Sequence, residues 1–108
     1  IVGLDIMIEV CNPTFAKVDA ILDLLTKSKS LHILLILYRT IEPLRFSQIK
    51  SAVKSSSTTV SRRLSELEDE KMIVKNYHDG MNITYELSND GRSLAPVMEA
   101  IFEWCDNR

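Results

Sequence analysis

The sequence predicts a mainly α-helical domain that contains one small β-hairpin. Apolar residues recur at helical spacing over most of the chain, but between residues 73 and 87 they alternate with polar residues. Asp79-Gly80, a favoured turn pair, lies in the middle of this alternating stretch. The chain has 108 residues, enough for one core of ordinary size. We expect residues 1–12 to form an N-terminal extension and residues 13–108 to form the domain.

Composition narrows the class of protein. Hydrophobic residues make up 45% of the chain and charged residues 26%, values that are typical of a globular protein. Cys11 and Cys105 are far apart and form no zinc-ligand cluster, which favours reduced thiols in a cytoplasmic protein. No apolar run approaches the ~20 residues of a membrane span, so no membrane partner is expected. Nucleotide-binding, metalloprotease and hydrolase motifs do not occur, so we expect no catalytic residues, no cofactor and no metal.

The first third of the chain predicts two helices. Apolar residues between positions 15 and 25 form a wide helical stripe. Polar residues at 27–30 interrupt the pattern, and residues 31–38 are apolar nearly all round. Such a segment is typical of a helix buried on most sides, and it should end before Pro43.

The middle of the chain predicts two further helices joined by a tight polar turn. Ser47 can cap the first of them and Ser57 the second. In the second helix Val60, Leu64 and Leu67 lie on one narrow stripe, and the other positions are polar. Two short helices followed by a hairpin are the arrangement of a winged helix-turn-helix.

The end of the chain predicts a terminal helix over residues 88–106, capped by Ser88. Pro96 either kinks this helix or marks where its regular part begins. The apolar face is wider than one contact requires, and the first helix is also apolar on more than one side. We therefore expect the first and terminal helices to form a homodimer, with packing on the domain's own helices as the alternative. The predicted interface residues are Phe15, Val18, Leu22, Met98, Ile101, Phe102 and Cys105.

Charge is distributed unevenly along the chain. The net charge is −2, yet residues 45–75 carry seven Lys or Arg against four Asp or Glu. All four acids lie at 66–70, so residues 45–65 are free of negative charge. This stretch can face the phosphates of a nucleic acid even though the whole chain is acidic.

The helix that begins near Ser57 offers side chains suited to reading base edges. On a helical wheel Arg62 points away from Val60, and short hydroxyl side chains surround it. A helix in the major groove needs small hydrogen-bonding residues for close approach and an Arg that reaches guanine acceptors. The alternative is an ordinary solvated helix face. The predicted base-facing residues are Thr58, Thr59, Ser61, Arg62 and Ser65.

A second polar set is suited to holding phosphates. Hydroxyls, ammonium groups and backbone amides at a helix start fix the register of a protein on DNA without reading its sequence. The predicted phosphate contacts are Ser47, Lys50, Lys54, Ser56, Ser57, Arg63, Lys75 and His78. His78, at the end of a hairpin strand, has simple solvation as its alternative.

Three segments resemble the HxlR-type winged-helix transcription regulators. They are LRFSQIK at 44–50, SRRLSELEDEKMIVK at 61–75 and YELSNDGRSLAPVMEAIFEW at 85–104. The resemblance implies a dimeric DNA-binding regulator from a prokaryote. Because some members sense oxidants through an N-terminal cysteine, it also makes Cys11 a candidate redox switch.

These observations predict a homodimeric transcriptional regulator that reads a palindromic operator in double-stranded DNA through the major groove; the effector is unknown. The alternative is a winged-helix protein-interaction module without sequence-specific DNA binding. Two features favour the alternative: the net charge of −2, and Asn82 at the wing position where the family often has an arginine.

Overall fold

The computed structural model describes residues 12–108. In chain order the elements are α1 (Thr14–Leu25), α2 (Ser30–Arg39), β1 (Leu44–Arg45), α3 (Phe46–Val53), α4 (Ser57–Asp69), β2 (Ile73–Tyr77), β3 (Ile83–Leu87), α5 (Asn89–Ser93) and α6 (Ala95–Asp106). This is a winged helix-turn-helix, so the predicted fold class is confirmed. Helices α3 and α4 form the helix-turn-helix, and strands β2 and β3 form the wing.

The sheet has three antiparallel strands in the order β1-β3-β2. The predicted hairpin is present, with Ile73 opposite Leu87 across β2 and β3. The strand β1 was not predicted. It consists of two residues, pairs Leu44 with Tyr85, and is too short for an alternating pattern to reveal it.

Helix α2 lies at the centre of the core. Ile33 and Leu34 are completely buried, and α2 contacts α1, α3, α4, α6 and β3. The predicted stripe of α4 is buried with them, as Val60, Leu64 and Leu67 are almost inaccessible to water. Burial of such side chains stabilises the fold by about 1.5–3 kcal/mol each. The stripe therefore fixes which side of α4 faces solvent.

The N-cap of α3 lies two residues before Ser47, the predicted cap. It is Arg45, which has an extended backbone, and the Arg45 amide donates to Oε1 of Gln48 at 2.8 Å. The reason is tertiary: β1 pairs with β3 and holds Arg45 extended immediately before the helix. Ser47 is an exposed residue within the first turn.

Helix α4 is capped by Ser56 and not by Ser57. The Ser56 hydroxyl oxygen accepts a hydrogen bond from the Thr59 amide at 3.2 Å. Lys54 ends α3 in the left-handed region, with φ of 53°. This turn reverses the chain early and brings Ser56 into the capping position.

The terminal segment forms two helices. Ser88 caps α5 as predicted, and its hydroxyl accepts from the Gly91 amide at 3.0 Å. The helical segment is interrupted at Leu94, and Pro96 lies in the first turn of α6. Proline is tolerated there because the first amides of a helix have no intrahelical acceptor. Pro96 thus marks where the regular helix begins, which is one of the two predicted roles.

Gly91 gives a test of how α5 packs on the wing. A Cβ atom at Gly91 would overlap the carbonyl oxygen of Met72, which is already held by hydrogen bonds from Ser88. Replacing a helical glycine by alanine usually stabilises a helix, but here we expect Gly91→Ala to lower the free energy of unfolding by about 1–3 kcal/mol. Urea denaturation measures the change.

Gly80→Ala is the matched control. No atom lies within 4 Å of a Cβ at Gly80, but its φ is +71°, so only the conformational cost of about 1 kcal/mol applies. A Gly91→Ala protein as stable as the wild type would show that α5 does not pack tightly against the Met72 carbonyl.

Candidate nucleic-acid interface

The outer face of α4 carries most of the residues predicted to face bases. Because the apolar stripe is buried, the opposite side of the helix is open to solvent. Four of the predicted side chains are exposed and line one shallow depression: Thr58, Ser61, Arg62 and Ser65. Thr59 differs, since it is half-buried and its hydroxyl oxygen accepts from the Ser56 hydroxyl at 3.0 Å. Thr59 therefore supports the start of α4.

Arg62 is the cation on this face. Within residues 12–108 it forms no salt bridge with a carboxylate. A guanidinium group has five N–H donors in a planar fork and no acceptor. An exposed and unpaired Arg62 can therefore present two parallel donors to a ligand.

Helix α3 and the turn after it form an adjoining polar surface. Ser47, Lys50, Lys54 and Ser56 are exposed and line one depression together with Ser51 and Ser55. No carboxylate lines it. Ser57, which is also exposed, follows Ser56 directly and lines the α4 depression, so the two surfaces meet at the start of α4. The α3 depression is suited to anions, whereas Glu66 and Asp69 also line the α4 depression, at its far end.

Arg63 is not placed where the phosphate prediction requires it. Its side chain is 13% exposed, and its Nε donates to the Ser28 carbonyl oxygen at 2.9 Å. Its Nη1 donates to Oε1 of Glu66 at 2.6 Å. Arg63 lies about 100° around the helix from Arg62, which turns it toward the connection between α1 and α2.

The wing holds the last two predicted phosphate contacts. Lys75 on β2 is half-buried, and its ammonium group lies 5.5 Å from the centre of the Tyr77 ring. Interaction with Tyr85 raises the pKa of Lys75, so the group stays charged at neutral pH. His78 is exposed, and its Nε2 lies 3.0 Å from the Thr84 hydroxyl. Neither Lys75 nor His78 lines the α3 or α4 depression.

An apolar surface on α1 and α6 lies outside the core. Six of the seven residues predicted for a dimer interface are exposed: Phe15, Val18, Leu22, Ile101, Phe102 and Cys105. Met98, the seventh, does not fit the prediction, because it is completely buried where α6 packs on α2. Val97 is also exposed, and its spacing of four from Ile101 places it on the same face of α6.

An exposed ion pair joins α2 and α6. Arg39 donates from Nε and Nη2 to the two carboxylate oxygens of Glu99, at 3.0 and 2.8 Å. The same guanidinium lies 4.1 Å from the centre of the Phe102 ring. The hydrogen bonds lower the pKa of Glu99 and raise that of Arg39, so both groups remain charged. Ile101 lies on the exposed side of α6.

Other candidate chemistry is limited. Cys11, the predicted redox residue, lies outside the described residues. His32 and Cys105 line an apolar groove of about 250 Å³ between α2 and α6, and burial, followed by the charge of Lys29, lowers the pKa of His32. In the described part of the chain, no cluster of three or more His, Cys, Asp or Glu could hold a metal. No helix described there is both long enough and apolar enough to cross a membrane.

Comparison with known proteins gives a consistent result. The sequence model of the HxlR-like helix-turn-helix family matches residues 24–108. A possible HxlR family transcriptional factor from Thermoplasma volcanium is 30% identical, with a TM-score of 0.67 over 82% of this chain and 83% of that one. The reduced form of the transcriptional regulator YodB from B. subtilis is 25% identical, with a TM-score of 0.71 over 83% of this chain and 89% of that one.

A S. aureus MepR–DNA complex has the same fold, with 24% identity and a TM-score of 0.63 over 94% of this chain and 85% of that one. The comparison with curated proteins finds no match. The family match spans well over half of the chain, and the solved structures share its architecture. The chain therefore belongs to the HxlR-like helix-turn-helix family and has the fold of HxlR type transcription regulators.

Proposed function

We propose that this protein is a homodimeric transcriptional regulator, in the cytoplasm of a prokaryote, that reads a palindromic DNA operator through the major groove. The observation that carries the proposal is the outer face of α4. There the unpaired Arg62 stands among exposed hydroxyl side chains on a helix whose opposite stripe is buried. Membership of a family of helix-turn-helix proteins supports the same function.

The chemistry of this face suits base readout. The fork of Arg62 can donate two hydrogen bonds to O6 and N7 of guanine in the major groove. Thr58, Ser61 and Ser65 are short enough to let the helix backbone approach the bases, and each hydroxyl can donate or accept. In MepR, a protein of the same fold, the solved complex contains DNA.

The acid-free surface of α3 suits the phosphate backbone. Lys50 and Lys54 supply mobile positive charges, and the serines around them supply hydroxyl donors. Such contacts hold the protein in register and are the same for every sequence. The two surfaces meet at Ser56 and Ser57, so a duplex lying across α4 would pass over α3 as well.

A second copy of the chain would cover the apolar surface of α1 and α6. Large apolar side chains that remain exposed together on two helices are typical of an interaction surface. A two-fold dimer would present two copies of α4 to one palindrome, about 34 Å apart.

One observation favours a second candidate function, a protein-interaction module without sequence-specific DNA binding. The wing tip carries Asp79 and an almost fully exposed Met81 and has no arginine. In vitro selection separates the two functions: a regulator enriches one sequence from a pool of random duplexes, and an interaction module enriches none.

Arg62→Ala tests base readout. We expect it to weaken binding to the selected duplex about 10- to 100-fold, which corresponds to about 1–3 kcal/mol, and to leave unfolding unchanged. Arg92→Ala, which removes the same charge from the exposed surface of α5, is the control. Fluorescence anisotropy gives both affinities, and equal binding by wild type and Arg62→Ala would exclude Arg62 from base readout.

Lys50→Gln tests phosphate contact. We expect weaker binding to all duplexes alike, and a decrease of about one in the slope of log affinity against log salt concentration. Lys17→Gln, an equal charge change on α1, should leave the slope unchanged. Loss of sequence preference at an unchanged slope would instead make Lys50 a base-reading residue.

Ile101→Glu tests the dimer. Burying an unpaired carboxylate between two copies of α6 is costly, so we expect a folded monomer in sedimentation velocity, with the helical circular dichroism retained. Ile41→Glu is the control, because Ile41 is 99% exposed and lies on neither α1 nor α6. An Ile101→Glu protein that sediments as a dimer would contradict the proposed interface.

A further inference from the structure

Four groups join α4 to the connection between α1 and α2. Arg63 donates to the Ser28 carbonyl oxygen at 2.9 Å and to Glu66 at 2.6 Å. Glu66 also accepts from Nζ of Lys27, at 3.3 Å. We call Arg63, Glu66, Lys27 and the Ser28 carbonyl the Arg63 clamp. It bridges segments that are more than thirty residues apart in the chain.

The clamp is more constrained than an ordinary surface ion pair. Exposed ion pairs contribute little because both side chains are mobile and solvated. The Arg63 side chain is only 13% exposed, and it bonds a backbone carbonyl as well as a carboxylate. Donation from Arg63, and then from Lys27, lowers the pKa of Glu66, which keeps this carboxylate charged at neutral pH.

The clamp restricts rotation of α4 about its own axis, which the apolar stripe defines less closely. Hydrophobic burial is non-directional, so Val60, Leu64 and Leu67 fix which face of α4 is inside but tolerate small rotations of the helix. Hydrogen bonds to a fixed carbonyl depend on distance and angle. Arg63 follows Arg62 directly, so a rotation that broke its bond to Ser28 would also turn Arg62.

The other end of the clamp follows α1 directly. The connection at residues 26–29 continues from the helix that carries the exposed Phe15, Val18 and Leu22. The clamp therefore links the helix with the base-facing residues to a helix with dimer-facing residues.

We propose that Arg63 is a positioning residue for DNA recognition: it locks α4 to the α1–α2 connection and so sets the separation and orientation of the two α4 helices in the dimer. This inference rests on the proposed function. It replaces a phosphate contact as the role of Arg63, because Nε and Nη1 are already engaged within the protein.

The two roles of Arg63 predict different behaviour on DNA. A phosphate contact adds the same free energy on every duplex, and its loss lowers the salt slope by about one. A positioning residue contributes only where two half-sites must be met at once. Its loss therefore reduces the preference for one half-site spacing and leaves the salt slope unchanged.

The experiment uses the palindromic duplex that the full-length wild-type protein selects from a random pool. Affinities are measured on this duplex, on versions with one base pair added to or removed from the centre, and on a duplex with one half-site. We expect Arg63→Ala to bind the selected duplex at least tenfold more weakly, to bind the single half-site as the wild type does, and to distinguish the three spacings less than the wild type does.

The positioning role and simple electrostatics predict opposite changes in DNA affinity for Glu66→Gln. Removing a negative charge from a DNA-binding helix should tighten binding if electrostatics alone acts. If Glu66 holds Arg63 in place, Glu66→Gln should weaken binding to the selected duplex and reduce the spacing preference, as Arg63→Ala does. Arg63→Lys keeps the charge and can reach one acceptor but not both, so we expect partial rescue.

The outcomes separate this inference from the proposed function. If the wild type enriches no sequence, the proposed regulator function fails and the positioning role fails with it. If the wild type selects a palindrome, but Arg63→Ala keeps the same spacing preference or Glu66→Gln binds more tightly, only the positioning role is overturned. Thermal unfolding of each variant identifies any that lose the fold. If Arg63→Ala does not fold, the result for Glu66→Gln decides the test.

Discussion

The burial of three side chains on α4 determines the geometry of the proposed interface. Val60, Leu64 and Leu67 are the apolar residues of a helix that is otherwise polar, and all three pack into the core around α2. Removing this stripe from water stabilises the orientations of the helix that direct Arg62 outward. Strands β2 and β3, which follow α4, and helix α3, which precedes it, are placed around this fixed helix.

Polar contacts fix the start and the position of α4 more closely than the apolar stripe does. Ser56 sets where α4 begins, and the Arg63 clamp connects its flank to the residues that follow α1. The clamp also changes the charge of the surface, because Glu66 is the first acid of α4 and is neutralised by Arg63 and Lys27. The protein can therefore have a net charge of −2 and still present an acid-free surface from α3 to the start of α4.

Helix α6 also combines apolar burial with a polar contact. Met98 is buried where α6 packs against α2, and Arg39 donates two hydrogen bonds to Glu99 across the outer side of the same contact. Arg39 also covers part of the Phe102 ring, which lessens the exposure of one apolar side chain. Other apolar side chains of the two helices stay in water, where a second subunit would bury them: Phe15, Val18 and Leu22 on α1, and Val97, Ile101 and Trp104 on α6.

The sequence by itself determined the order of the helices, the hairpin and the outward direction of Arg62, because these follow from periodicities that neighbouring residues share. Tertiary structure decided the features that depend on distant partners. Strand β1 exists because Tyr85 pairs with Leu44, and Met98 is buried because α2 lies beside it. Helical spacing already places Arg63 at the edge of the buried stripe, but its acceptor, the Ser28 carbonyl thirty-five residues away, is supplied by the fold. Helical spacing shows which residues share a face, but the partner of that face is set only when the chain has folded.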